Sequence, residues 1–291
     1  MTAPPPILAG VPGTAGEELA ALGGRARVCG VYDETGAPLY DDLSRRDAFE
    51  VRELLGLVRP TRGPVLELAA GTGRLTFPLL AAGREVTALE LAPAMLERLT
   101  ARLAEAPERL RRNCRPVRGD MSDFALGRRF AAVVLGTTSV SLLDAAGRAG
   151  LYRCVREHLA PGGTFALSTV EVADAGEGPT EVRQPLTGAS GREYVLHELW
   201  EPARGVRTVT LRPADVSGTG PVPVCVSRVT VLPVAALTAE LTAAGFTVRG
   251  TQTLSAAGSR HRDVLLEATA AAEATRASEV TRATEATEGP R

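Results

Sequence analysis

The segment VLELAAGTGRL, residues 65–75, constrains the chain more than any other. An apolar run carrying one acid, Glu67, breaks into Gly71-Thr72-Gly73 and resumes with helix-forming residues. That order encodes a strand, a tight glycine turn and a helix, an arrangement suited to holding a nucleotide. A dinucleotide turn needs G-x-G-x-x-G, because the third small residue lets helix and strand approach closely. The third position here is Thr76, so that fingerprint fails. A phosphate loop needs a lysine, and all 33 basic residues are arginine. What remains is E-x-A-x-G-x-G, with the acid four residues before the first glycine. A carboxylate there disfavours a phosphate and accommodates a ligand carrying an ammonium group.

The surrounding periodicities give the fold class. From 65 to 170 strand and helix patterns alternate, which predicts an α/β domain with a parallel sheet covered by helices on both faces. Upstream, residues 1–25 read as a flexible Pro/Gly/Ala-rich leader, and 26–60 as a segment covering the site. The spacing of EVRELLGLV predicts a helix from about Asp47 to Val58. Residues 171–232 change rhythm: REYVLHELWEP, GVRTVTLRP and PVCVSRVTVLP alternate as strands do, predicting a small antiparallel addition on the substrate side. The core pattern returns over 233–268, and 269–291 form an Ala/Thr/Glu/Arg tail read as disordered. In HLAPGGTF the Pro161-Gly162-Gly163 run is expected to end a helix.

Composition excludes several chemistries. The formal net charge of −1 gives no basic field for nucleic acid or an anionic membrane. Without lysine there is no lysine Schiff base and no lysine-dependent pyridoxal phosphate site. Cys29, Cys114, Cys154 and Cys225 lie far apart in sequence, so neither a metal site nor a disulfide framework is indicated. The proline-rich start does not read as a signal peptide, and FAAVVLGTTSVSLL is too short to span a bilayer. The expectation is a soluble cytoplasmic protein.

Two further strand tips complete the ligand inventory. ALELAPAML places Glu90 nineteen residues after Gly71, where an acid can accept hydrogen bonds from both ribose hydroxyls. RGDMSDF places Asp120 and Met121 where an adenine could be bonded and packed. Ribose, adenine and amino-acid contacts with no phosphate contact fit S-adenosylmethionine. With LELAAGTGRL, Glu90, GDM, FAAVVLG and LAPGG in this order, the chain over roughly 28–268 resembles the class I S-adenosylmethionine-dependent methyltransferases. The resemblance implies a Rossmann-like, seven-stranded, mostly parallel sheet. It also implies that Glu67, Ala69, Gly71 and Gly73 line the methionine and ribose side, that Glu90 holds the ribose, and that Leu91 and Met95 lie beside the cofactor. Asp120 and Met121 would flank the adenine, Leu135 would lie by the methionine backbone, and Arg74 could pair with the cofactor carboxylate. Tyr40, then Tyr32, would close over the methionine part; the alternative is that both tyrosines only pack their segment onto the sheet.

Methyl transfer from a sulfonium depends mainly on alignment, worth roughly 7–11 kcal/mol. A base is needed only for a protonated acceptor. His197 in the β-rich region is the candidate base or orienting group, with Thr138, beside Thr137 and Ser139, a candidate for orienting an amine. His158 at a helix end reads as structural and His261 as a surface residue. YDDLSRRD, EVRELL and VVLGTTSVSLLD further resemble the methyltransferases of daptide-type ribosomal peptide pathways. That implies dimethylation of a peptide's N-terminal amine. A small-molecule O- or N-methyltransferase and a non-catalytic protein of the same fold remain open alternatives.

Overall fold

A computed structural model describes residues 11–172, 178–254 and 261–271. Its helices are α1 (Gly13–Leu22), α2 (Ala37–Ser44), α3 (Val51–Val58), α4 (Thr76–Ala81), α5 (Pro93–Glu105), α6 (Glu108–Arg112), α7 (Ala145–His158) and α8 (Val234–Ala243). The first six strands are β1 (Ala26–Gly30), β2 (Val65–Leu68), β3 (Val86–Glu90), β4 (Cys114–Arg118), β5 (Phe130–Leu135) and β6 (Leu159–Val172). The other six are β7 (Thr180–Thr187), β8 (Glu193–Glu201), β9 (Val206–Pro213), β10 (Val222–Thr230), β11 (Phe246–Thr253) and β12 (His261–Ala270).

Seven strands form the main sheet in the order β11-β12-β6-β5-β2-β3-β4. From β6 to β4 every pair is parallel, while β12 runs antiparallel to both β6 and β11. Every residue of β2, β3 and β5 is buried, because helices cover both faces. Helix α5 buries Met95, Leu99 and Leu103, one stripe at four-residue spacing. The side chain of Asp144 caps α7 by accepting a 2.8 Å hydrogen bond from Gly147 N. The chain leaves β2 toward β3 and β4, then returns to β5 on the other side. This reversal opens a crevice at the carboxyl ends of β2 and β5, where open α/β sheets bind ligands.

A second sheet, ordered β1-β10-β9-β8-β7, stands beside those strand ends. Its β7–β10 part is antiparallel, as the alternation predicts. Strand β1, however, comes from the N-terminal segment and pairs parallel to β10, from Ala26↔Val222 to Gly30↔Val226. Nothing local in ARVCG signals a partner nearly 200 residues away.

Other expectations shift. Part of the leader forms α1, whose Leu19 packs against Val224 and Val226 of β10; residues 1–10 lie outside the described residues. Helix α3 begins at Val51 instead of Asp47 because Glu50 adopts a left-handed backbone, φ 57°. The Ala160–Gly163 stretch continues as strand directly after α7, and β7 was not anticipated. Thr269 and Ala270 complete β12, and the tail beyond Ala271 lies outside the described residues. No helix of the described residues is long and apolar enough to cross a membrane.

Candidate functional site

Glu90, the last residue of β3, is buried and binds two loops at once. Its Oε2 accepts a 2.7 Å hydrogen bond from Gly71 N and its Oε1 a 2.8 Å bond from Ala92 N. Burial pushes its carboxyl up against the pull of those amides. The two glycines of the turn do different work. Gly71, φ 56°, lies under the ring of Tyr40: a Cβ added there would stand 3.7 Å from Tyr40 Cε1. Gly73, φ 95°, leaves no room, since a Cβ would lie 2.7 Å from Leu99 Cδ1 and 3.0 Å from Phe77. Gly73 therefore serves the close approach of α5, the packing role that the sequence reading looked for at Thr76.

Backbone strain concentrates here. Among the described residues, the non-glycine positions with positive φ are Glu50, Ala69, Thr137 and Thr138. All four sit in the loops around the glycine turn and the tip of β5, and such strain clusters at functional sites. Glu50 has a fully buried side chain. Its Oε1 accepts from Arg74 and, at 2.6 Å, from Thr137 N. Arg74 also donates to Phe49 O and to Thr137 Oγ1, each at 2.6 Å. Arg74 is thus not a surface residue; its two terminal nitrogens are held by protein acceptors, while its Nε has no partner among the described residues. It ties the segment before α3 to the tip of β5. Ala69 at φ 51° occupies a conformation that suits glycine. Ala69→Gly should stabilise the fold by about 0.5–1 kcal/mol, relief of strain exceeding glycine's entropy in the unfolded chain. A urea denaturation midpoint equal to or below wild type would refute that estimate.

Several expected cofactor contacts are placed differently. Glu67 is 2% exposed and accepts a 2.5 Å hydrogen bond from Thr76 Oγ1, bracing the start of α4. Burial pushes its carboxyl up to about 8, so near neutrality it is largely uncharged and offers no charge to an ammonium group. Met95 and Leu135 are each 0% exposed, so their side chains line no cleft; Leu135 can contribute only main chain. Met121 packs in the main core with Leu89 and Phe124. Asp120 Oδ1 accepts from Ser122 N at 2.8 Å and from Ser122 Oγ at 2.7 Å, which fixes the loop after β4. Leu91, directly after Glu90, is 57% exposed, an apolar side chain open to a ligand's flat face.

Helix α2 lies between the turn and the second sheet. Ser44 Oγ meets Thr72 Oγ1 at 3.3 Å, and Asp42 accepts from Tyr194 OH of β8 at 2.8 Å. Tyr32 and Tyr40 meet edge to face, centroids 6.0 Å apart. Tyr32 keeps 38% of its surface, yet enough protein surrounds its hydroxyl for burial to raise the pKa. A residue both accessible and enclosed lines a cleft. Desolvation likewise raises Tyr40.

The pairing register of the second sheet assigns its faces. Tyr194, Glu198 and Trp200 of β8 share a face with Arg207 and Leu211 of β9 and Cys225 and Ser227 of β10. Tyr194, Leu211 and Cys225 on that face pack against Leu39 and Tyr40 of α2, so it is turned toward the tyrosine-bearing segment. Trp200 stacks on His261 with centroids 5.2 Å apart and has the Arg207 guanidinium 4.9 Å from its ring; Arg207 also pairs with Glu198. His197 points the other way. It is 2% exposed beneath α1, with Nε2 3.3 Å from Glu18 Oε2 and Nδ1 3.4 Å from Thr14 Oγ1. It anchors α1 and is not brought to the cleft. His158 is also structural, but neutral: Nδ1 donates to Cys154 O at 2.7 Å while Nε2 accepts from Leu126 N at 2.9 Å. Thr138, at the tip of β5, receives a 2.9 Å hydrogen bond from Ser141 N on its carbonyl. Its own N donates to Ser168 Oγ at 3.1 Å.

Sequence reasoning missed Glu50, Glu198, Arg207, Trp200 and Ser227. Strand alternation in REYVLHELW already put Glu198 opposite His197, but only the contacts of α1 decide which face is outside. A concavity of about 1340 Å³ is lined by Arg129, Tyr152, Gly162 and Glu240. It opens at the amino ends of β5 and β6, away from the crevice, and is not the site. Among the described residues no group of three or more His, Cys, Asp or Glu side chains could hold a metal ion.

Residues 65–163 match the family described as a methyltransferase domain. The solved structure of the glycopeptide N-methyltransferase MtfA complexed with S-adenosyl-L-methionine is 37% identical, with a TM-score of 0.63 over 90% of this chain and 99% of that one. A cypemycin N-terminal methyltransferase from Streptomyces sp. is 31% identical over 167 residues, 54% of this chain and 64% of the relative. A dTDP-3-amino-3,4,6-trideoxy-alpha-D-glucopyranose N,N-dimethyltransferase from Streptomyces venezuelae is 32% identical over 145 residues, 47% of this chain and 58% of the relative. The chain thus matches less than two thirds of the length of these curated relatives.

Proposed function

The chain belongs to the S-adenosylmethionine-dependent methyltransferases, and from that premise we propose that it methylates an amine, its acceptor being the N-terminal α-amine of a modified ribosomal peptide. Dimethylation is the proposed outcome. When bound, S-adenosylmethionine supplies an activated methyl group on a sulfonium. The residues present fit it: Glu90 closes the strand as a hydrogen-bond acceptor for the ribose hydroxyls, Leu91 offers an apolar face, and Tyr40 covers Gly71. The arginine nearest the turn, Arg74, is held by Glu50 and Thr137, so no phosphate is called for.

The observation that carries the amine reading is the chemistry of the cleft walls. Tyr32 and Tyr40 are both shifted toward their protonated forms, and Glu198 is tied to Arg207. The tyrosine hydroxyls donate hydrogen bonds and orient an acceptor, while the Glu198 carboxylate accepts from Arg207 and Trp200 and is not free to strip a proton from an alcohol. An α-amine, with a pKa of about 7.7–8.0, is already partly neutral near pH 7 and needs little more. The names of the cypemycin and glycopeptide relatives support nitrogen as the target and a peptide as the acceptor.

Mass spectrometry of peptides incubated with the protein and S-adenosylmethionine tests this. Peptides with free N-termini should gain methyl groups and their N-acetylated counterparts should not. Methylation that survives acetylation would sink the α-amine proposal. Faster turnover of a dTDP-amino sugar than of any peptide would place the acceptor with the sugar-modifying relative instead.

A further inference from the structure

We propose that Cys29 and Cys225 are a disulfide-forming pair, closed by a low-molecular-weight disulfide and reopened by thiols, that fastens the tyrosine-bearing segment to the second sheet. Their sulfurs lie 3.3 Å apart. They are directly opposite each other in the parallel pairing of β1 with β10. Neighbouring strands stand about 4.7–4.9 Å apart, inside the Cα window of about 4.4–6.8 Å that a disulfide requires. The bond therefore needs side-chain rotation alone. Cys29 is half-buried and open to a small oxidant, whereas Cys225 is buried behind it. The hydrogen bond with Cys225 draws the Cys29 thiol below its usual range, against burial and the nearby Asp33 carboxylate.

The exchange balances without any further reactant. The Cys29 thiolate attacks one sulfur of the oxidant, forming a mixed disulfide and releasing one thiolate. Cys225 then loses its proton to solvent and attacks Cys29 Sγ, expelling the second thiolate. Two protein S–H bonds are replaced by one S–S bond, and the oxidant leaves as two thiols. Cys29 is three residues from Tyr32, and α2 with Tyr40 follows. Joining β1 covalently to β10 fixes the base of the segment that covers the turn. That consequence rests on the methyltransferase reading; the pairing itself does not.

The full chain, reduced and then treated with oxidised glutathione, should lose two of its four thiols when these are counted after denaturation. Non-reducing peptide mapping should recover the Cys29 and Cys225 peptides linked, and dithiothreitol should separate them. The Cys225→Ser variant should stop at a glutathione adduct on Cys29. An adduct on wild-type Cys29 with no cross-link overturns the pairing, as does a cross-link to Cys114 or Cys154. Stopped-flow release of S-adenosylhomocysteine should slow several-fold on oxidation of wild type and not of Cys225→Ser. Equal rates in oxidised and reduced wild type overturn the fastening of the segment. Failure of the reduced protein to bind S-adenosylhomocysteine would count against the methyltransferase reading and leave the thiol mapping standing.

Discussion

Replacing Glu90 with alanine is expected to weaken S-adenosylhomocysteine binding by about 100-fold. Hydrogen bonds to a charged acceptor contribute about 1.5–3 kcal/mol each, and about 1.4 kcal/mol is a tenfold change in affinity. Two bonds to the ribose, each at the low end of that range, would account for about 3 kcal/mol. Alanine also leaves Gly71 N and Ala92 N without their acceptor, so loop disorder must be separated from lost ligand contact. Glu90→Gln, which retains the length and one acceptor oxygen, should fall between the two. The 2′-deoxy analogue of the ligand supplies the second axis of a double-mutant cycle. Wild type should prefer the hydroxylated ligand and Glu90→Ala should have lost that preference. Titration calorimetry giving the same affinity for wild type and variant would place the ribose elsewhere.

Glu67→Gln should make the protein more stable than wild type at alkaline pH. In the folded state burial holds the Glu67 carboxyl at about 8, against a reference of 4.5. Between those values the native state keeps a proton that the unfolded chain has lost, so stability declines as pH rises from 4.5 to 8 and then levels off. At 1.36 kcal/mol per pH unit the full effect is of the order of a few kcal/mol. Glutamine has the same shape, stays neutral, and can still accept from the Thr76 hydroxyl. Urea denaturation at pH 5 and pH 8.5 should show the wild-type midpoint dropping further than the variant's. Parallel declines would mean that Glu67 is ionised in the native protein. The difference between the two proteins isolates this group from others whose carboxyls are also raised, such as Glu90.

The α/β core was legible because its signals are local. The apolar run of β2, the glycine turn and the stripe of Met95, Leu99 and Leu103 each follow from a few consecutive residues and one periodicity. The position of Glu90 beside the turn was legible for the same reason: its place at a strand end fixes its distance from the glycines. The partners of Arg74 were not legible because Phe49, Glu50 and Thr137 lie 25, 24 and 63 residues away. His197 was misjudged because alternation separates two faces without saying which is covered. Here α1, from a stretch read as a loose leader, covers the histidine's face.

By itself the sequence determined the class of ligand. A lysine-free chain with no third glycine in the turn cannot build the usual phosphate cradles, and an acid at the end of the neighbouring strand suits a ligand with hydroxyls. Those are properties of residue type and short spacing, and folding does not alter them. The tertiary structure alone decided how the side chains around that turn and on the second sheet are placed. It turned Gly73 toward α5, buried Met95, raised the pKa of the Glu67 carboxyl, paired Glu198 with Arg207 and brought Cys29 against Cys225. Each of these depends on burial or on pairing between distant segments, quantities that exist only once the chain has closed on itself.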